Sequence, residues 1–279
     1  MPRLAVIGFP VGHSRSPAMQ NAALAALGLG DEWSYEAIEV APSDLEAKVR
    51  EMAAAGFAGA NVTVPHKEAA LALADTSSAA AAAIGAVNTL TFAGGRIEAD
   101  NTDARGLLAS LPKSLPARRA LVLGAGGAAR AVLWALAKGA VAVDSDIGSG
   151  RTTREPLEVD VWNRTGARAE AISAEIGGLP VDLPIQSAYG LIVNTTVVGL
   201  GGEQPFEHLP LAPGQFTAEQ VVVDMAYGER PSALLAAARA CGATVVDGLE
   251  VLVQQGALSL QIWTGREAPI EVMRTAARG

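Results

Sequence analysis

Cysteine occurs once and histidine three times in 279 residues. That scarcity excludes a disulfide framework and leaves too few ligands for the usual structural zinc sites. The single thiol, Cys241, fits a reducing compartment and reads as a small buried hydrophobe. Positive charge is also short: 21 Lys and Arg stand against 29 Asp and Glu, a net charge of -8, with no dense basic run. Neither nucleic acid nor an anionic membrane is therefore expected as a partner. Long apolar runs are missing as well. The uncharged stretch from Thr76 to Gly95 is rich in Ala, Gly, Ser and Thr and carries Asn88, which makes it a poor membrane span. Gly and Pro interrupt the opening LAVIGFPVG, so the first strand of a cytoplasmic domain is expected there rather than a signal peptide.

What remains is an ordinary globular mix, 50% hydrophobic and 18% charged, long enough for two domains at roughly 100 to 200 residues each. LAVIGF reads as a strand, and Ser16 before Pro17 as the N-cap of a helix ending near Gly28. Ser43 with Glu46 forms a capping-box pattern for a helix that stops near Gly56, and GANVTVP is a buried strand. VNTLTF and RIEADN flank Ala93, Gly94 and Gly95, which predicts a hairpin before a TDARGLLASL helix. The Pro-punctuated LPKSLPARR places a domain boundary between about Asp103 and Arg118. Strand candidates then follow at ALVLG, LEVDVW, GLIVN, VVVDMA and TVVD, with helical stretches between most of them. That pattern belongs to a parallel sheet covered on both faces, so the fold class is α/β. The polar segment from Asp144 to Glu155 reads as a surface loop, and the chain after Gly248 as helices packing back on the first domain.

The strand ALVL runs into Gly124, Ala125, Gly126, Gly127, Ala128 and Ala129, a GxGxxA turn opening a helix. Gly124 permits the tight turn, Gly126 lets a pyrophosphate approach the backbone, and the helix start offers free N–H groups. A dinucleotide is the natural ligand. Two readings of its identity stay open. If AVAVD is the second strand, Asp144 lies 20 residues past Gly124, near the spacing of an acid that holds the ribose hydroxyls of NAD. If LEVDVW is that strand, it ends at Asn163, Arg164 and Thr165 with Arg168 one turn on, and two guanidiniums select the 2′-phosphate of NADP. The second reading is favoured, because DSDIGSG looks like an inserted loop.

In the first domain, VGHSRSP offers the hydroxyls of Ser14 and Ser16 to a small polar ligand. NVTVPHK places Thr63 on a strand and Lys67 just beyond it, where ligands of open α/β sheets sit. An ammonium there can supply the proton that a carbonyl oxygen needs as hydride reaches its carbon, and Asp103 can pair with it. His13 and His66 read as hydrogen-bonding structural residues.

IGFPVGHSRSP, GANVTVPHK, GAVNTL, NTDARG, GAGGAAR with WNRT, and DGLEVLVQQGALSLQIWTG occur in this order. With them the chain resembles the shikimate dehydrogenase family over nearly its whole length. The resemblance implies reversible NADPH-dependent reduction of 3-dehydroshikimate to shikimate. It also implies a substrate domain of residues 1–104 plus 248–279 and an NADP-binding Rossmann domain of residues 105–247. By that resemblance Lys67 is the acid/base and Asp103 its partner, while Ser14, Ser16 and Tyr227 hold the substrate carboxylate. Thr63, Asn88 and Gln255 bind its hydroxyls. Gly124, Gly126, Gly127 and Ala128 cradle NADP(H), with Arg130 contributing from the same turn. Asn163, Arg164, Thr165 and Arg168 clamp its phosphate, and Asn194 to Thr196, Met225 and Gly248 line the nicotinamide side. No metal is implied, and the chain is expected to act on its small substrate as a monomer or homodimer.

The chain departs from the family pattern at Gln20, where histidine is usual, at Val197, where Pro or Ser is commoner, and at Ala104, where glycine is common. The segment from Asp144 to Glu155 is a larger departure and can bring Arg151 and Arg154 to the adenosine end. Two rivals stay in view: a paralogue acting on quinate with NAD, and a silent dinucleotide-binding sensor. The sensor has no need of both Lys67 and Asp103.

Overall fold

The computed structural model describes residues 1–116, 118–139, 155–200, 204–228 and 232–279. The chain divides into two compact units, one of Met1–Gly106 with Leu252–Gly279 and the other lying within residues 107–251.

The first unit carries β1 (Arg3–Gly8), α1 (Ser16–Ala26), β2 (Ser34–Glu39), α2 (Leu45–Ala54), β3 (Phe57–Val62), α3 (Lys67–Leu71), β4 (Thr76–Ser77), α4 (Ala79–Ile84), β5 (Thr89–Ala93) and β6 (Arg96–Asp100). Its sheet runs β2-β1-β3-β5-β6-β4, parallel at β1–β2, β1–β3 and β4–β6 and antiparallel at β3–β5 and β5–β6. Alternation along β1 splits the core in two, as the period of a strand requires. Ala5 and Ile7 face Val49 and Met52 of α2, while Leu4 and Val6 face Met19 and Ala23 of α1 together with Val253, Leu260 and Met273. The hairpin turns through two residues: Ala93 pairs with Arg96, and Gly94 and Gly95 adopt φ of 58° and 78°, a primed turn that glycine accommodates without a Cβ clash.

Three local expectations fail. Arg15, not Ser16, holds the N-cap position of α1 with no side-chain cap bond, and Ser16 is the first, buried residue of the helix. The Ser43–Glu46 box does not form, because a 3-10 turn over Pro42–Asp44 precedes α2 and turns the Ser43 hydroxyl onto the Asp44 carboxylate. Cys241 is half-buried rather than buried.

α5 (Asp103–Ser110) begins in the first unit and ends in the second. Then come β7 (Arg119–Leu123), α6 (Gly127–Lys138), β8 (Glu158–Trp162), α7 (Gly166–Ile176), β9 (Leu179–Pro180), β10 (Leu191–Asn194), α8 (Pro205–His208), β11 (Val221–Asp224), α9 (Ala233–Ala240) and β12 (Thr244–Asp247). The sheet is wholly parallel in the order β12-β11-β10-β7-β8-β9. Within its own numbering that is 6-5-4-1-2-3, the doubly wound dinucleotide-binding order. LEVDVW therefore supplies the strand that pairs with β7. Asp160 is a charge inside that strand, and Arg119 Nη2 at 2.8 Å and the Tyr189 hydroxyl at 2.7 Å satisfy it. Burial, then the bond to Asp160, pushes the Tyr189 phenol well up, and the bond to Asp160 raises the Arg119 guanidinium. α10 (Gly248–Thr264) and α11 (Ile270–Arg278) end the chain. α11 packs on α1 through Met273 and Ala277. Among the described residues, no helix is long and apolar enough to cross a membrane.

Candidate active site

In the first unit, β3 ends at Val62, and five residues on Lys67 opens α3. Its Nζ lies 2.6 Å from Asp103 Oδ2, with side-chain exposures of only 12% and 6%. Sequestering two opposite charges costs about as much as their attraction returns, so fold stability alone is a weak reason for such a pair. Asp103 Oδ1 accepts a second bond from Asn88 Nδ2 at 2.9 Å. The same amide reaches Gln255 Oε1 at 2.9 Å. Gln255 comes from α10, where its backbone lies so close to Gly106 that a Cβ at residue 106 would sit 2.6 Å from Gln255 Cβ. A glycine is required there for α5 and α10 to approach. Lys67, Asp103, Asn88 and Gln255 thus form one bonded cluster drawn from four segments.

Thr63 lies half-buried just past β3, its backbone bonded to Ile7 O at 2.9 Å. Ser14 Oγ accepts from the Ser16 N–H at 3.2 Å at the entrance of α1. Among the described residues, none of the side chains of Thr63, Ser14 and Ser16 is bonded to the Lys67 cluster. His66 is buried and holds Val40 O at 2.7 Å through Nε2, a structural use, while His13 is exposed.

In the second unit, the topological switch falls between β7 and β10, and both strands end at the glycine turn. Gly124 has φ of 113°, and its N–H donates to Trp162 O at 2.8 Å. A Cβ there would meet Thr195 Oγ1 at 2.5 Å. Gly126 differs: its φ of -103° suits any residue, and a Cβ would find nothing within 4 Å. The space it leaves is open, at the N-cap of α6, whose first residues are Gly127 and Ala128. A pyrophosphate fits such a backbone cradle. Beside it, β8 runs out into Asn163, whose Nδ2 donates to Thr165 O at 2.9 Å. Arg164 and Arg168 are exposed and have no ion-pair partner among the described residues. Arg130 is instead ion-paired with Glu175 of α7. Asp144, Arg151 and Arg154 lie outside the described residues.

The loop after β10 is held from behind. Asn194 Oδ1 accepts from Thr196 N at 3.1 Å and Thr196 Oγ1 at 2.7 Å, and its Nδ2 donates to Asp224 Oδ1 at 2.8 Å. Asp224 also takes bonds from the Ser232 hydroxyl and from Ala226 N. Burial pushes its carboxyl up, and these bonds oppose the shift. Met225 N donates to Asn194 O at 2.9 Å, and a Cβ at Gly248 would sit 2.6 Å from Met225 O, so α10 starts in close contact with that strand end. Tyr227 follows β11 and is half-buried.

The family model described as shikimate dehydrogenase substrate binding domain matches residues 6–90, and the shikimate 5′-dehydrogenase C-terminal domain matches residues 248–278. A relative from Methylobacterium radiotolerans, named shikimate dehydrogenase (NADP+), is 44% identical over 95% of this chain and 92% of its own. One of the same name from Symbiobacterium thermophilum is 43% identical over 98% and 92%. The chain belongs to the shikimate dehydrogenase family. The crystal structure of the Thermus thermophilus shikimate 5-dehydrogenase, in complex with NADP(H) and shikimate, matches with a TM-score of 0.85 at 42% identity over 100% of this chain and 99% of that one.

Within this family member, several polar residues beside the cluster escape a reading of sequence alone. Thr89, Thr102, Asn61 and Ser259 are buried and bonded to one another or to Asn88. In sequence Asp224 is only the end of an apolar strand, with nothing to mark its bond to Asn194. Gln20, noted as a departure from the family pattern, is fully buried: Nε2 donates to Gly256 O at 3.0 Å, and Oε1 has no hydrogen-bond partner among the described residues. A signal existed for Asn61 alone, an amide inside an otherwise apolar strand.

Proposed function

We propose that this protein is an NADP-dependent shikimate dehydrogenase that reversibly reduces 3-dehydroshikimate to shikimate. The observation that carries the chemistry is the largely buried 2.6 Å pair of Lys67 and Asp103, with the second carboxylate oxygen tied to Asn88. When bound, NADPH supplies the hydride. Gly124, Gly126, Gly127 and Ala128 hold its pyrophosphate against the start of α6. Asn163, Arg164, Thr165 and Arg168 take its 2′-phosphate, and Thr196, Met225 and Gly248 border the nicotinamide. Arg130 contributes as a support of the glycine turn through Glu175.

Lys67 donates a proton to the ketone oxygen as negative charge develops on it, and in the reverse direction accepts the proton of the hydroxyl. Asp103 occupies one N–H of the ammonium, which leaves the other two to point at substrate. The pair matters most when charge is greatest, in the transition state, so its effect belongs in turnover more than in binding. Asn88, Thr63 and Gln255 orient the ring hydroxyls, and Ser14, Ser16 and Tyr227 hold the carboxylate. The substrate-binding role falls to residues 1–104 with 248–279 and the cofactor role to residues 105–247. The single half-buried thiol and the acidic surface fit a cytoplasmic protein that acts on a small molecule as a monomer or homodimer.

The test follows nicotinamide absorbance with shikimate or quinate, each with NADP or NAD. Rapid turnover with shikimate and NADP is expected. Preferential turnover of quinate with NAD, or no turnover with any pair, overturns the proposal.

A further inference from the structure

Behind the Lys67 pair runs a chain of buried side-chain hydrogen bonds whose direction is fixed at both ends. Asn88 Oδ1 accepts from the backbone N–H of Thr102 at 2.7 Å, so that atom must be the oxygen, and its Nδ2 must face Asp103. At the far end, Asn61 Nδ2 donates to the carbonyl of Asn88 at 3.0 Å, which fixes its amide as well. Asn61 Oδ1 therefore accepts from the Tyr35 hydroxyl at 2.7 Å, and Nδ2 donates to Ser259 Oγ at 2.9 Å. Ser259 Oγ lies 2.8 Å from Thr89 Oγ1, which donates to Asn88 Oδ1 at 3.1 Å. Ser259 Oγ accepts from Asn61 and has two acceptors for its one proton, Thr89 Oγ1 at 2.8 Å and the Gln255 carbonyl at 3.2 Å, while Thr89 donates to Asn88. Side chains from β2, β3, α10 and β5 thus hand one orientation to the amide that meets Asp103. Tyr35, Asn61, Ser259 and Thr89 are all buried, with exposures of 3%, 6%, 0% and 1%. Such a network rigidifies what it touches, because its buried groups pair with one another and turning the Asn88 amide over would leave the Thr102 N–H and Asp103 Oδ1 facing the wrong atoms.

We infer that Thr89, Ser259, Asn61 and Tyr35 are positioning residues for the reaction: they lock the Asn88 amide so that Asp103 Oδ1 is always occupied and only Oδ2 is left for Lys67. The inference rests on Lys67 and Asp103 being the reacting pair. A carboxylate free to rotate would share both oxygens with the ammonium and draw its remaining N–H groups away from substrate. The chain prevents this without touching either reactant.

Thr89→Val keeps shape and removes the hydroxyl, Thr89→Ser restores it, Ser259→Ala cuts the next link, and Tyr35→Phe removes only the first oxygen. Steady-state oxidation of shikimate by the full-length protein is measured for each, beside the thermal midpoint and the KM for NADP. Thr89→Val and Ser259→Ala are expected to lower kcat/KM for shikimate by about tenfold, what one hydrogen bond of ordinary strength accounts for. Tyr35→Phe should lower it by about two- to threefold, Thr89→Ser should recover most of the loss, and the KM for NADP should not move. If Thr89→Val turns over shikimate within twofold of the parent, or Thr89→Ser fails to restore it, the inference falls. Should Thr89→Val fail to fold, Ser259→Ala decides by the same measure. Lys67→Ala, assayed alongside, separates the two layers: if it retains turnover, the assignment of the reacting pair fails, whereas its loss with Thr89→Val unaffected removes the positioning role alone.

Discussion

The two units meet the same requirement, a ready-made site, by opposite means. In the first, hydrogen-bonding capacity is filled: Asp103 uses one oxygen for Lys67 and the other for Asn88, and the Asn88 amide is saturated from behind. In the second, the site consists of room left over. Gly126 faces open space, and two arginines stand without ion-pair partners among the described residues. Proton transfer needs a group held within tenths of an ångström, which only a crowded polar cluster enforces. A large phosphorylated ligand brings its own charges, and the protein contributes backbone and clearance.

The sharpest way to break the comparison is Lys67→Ala. Turnover should fall by about 10²- to 10⁴-fold, the usual worth of a positioned acid or base, with a smaller change in KM. Lys67→Gln keeps a donor for Asp103 and should be as slow, which steady-state rates at saturating shikimate will show. Next comes Arg164→Ala, which should weaken NADPH by about ten- to a hundredfold, the loss of a charge-assisted bond, and leave NADH unchanged in a binding titration. Gly126→Ala probes the room itself. Its backbone suits alanine, so the thermal midpoint should hold while the KM for NADP rises by about tenfold, close to 1.4 kcal/mol. The smallest effect is expected at Asp224. Burial favours its neutral form in the fold, so its stabilising contribution is complete below the unfolded pKa of about 3.9 and is lost as pH rises through the higher folded value. Thermal midpoints of Asp224→Asn should therefore vary less with pH than those of the parent above about pH 4, and a steeper profile would reverse the sign.

Much of this architecture was legible because it depends on local rules. Apolar runs between glycine turns gave the strands, and GAGGAAR at the end of ALVL announced the switch point that the order β12-β11-β10-β7-β8-β9 displays. The position of Lys67 just beyond a strand end was legible in the same way. The capping-box pattern at Ser43 misleads because it is short and a 3-10 turn competes for the same residues. Ser16 looked like a cap for the same reason: sequence shows a hydroxyl before a helix but not on which side of the first turn it falls. The polar chain behind Asn88 was invisible on other grounds. Asn61 and Ser259 are 198 residues apart, and Thr89 and Ser259 are 170 apart. No spacing rule connects them. A serine on one face of a helix looks the same whether it meets water or an asparagine.

The packing of α11 on α1 also closes a long loop of chain within one unit. Met273 and Ala277 cover Met19 and Ala23, and Gln255 and Ser259 reach Asn88 and Asn61 from α10. Residues 252–279 thus complete the unit that residues 1–106 begin, and a chain cut near residue 251 should leave Met19, Asn61 and Asn88 without the groups that cover or bond them.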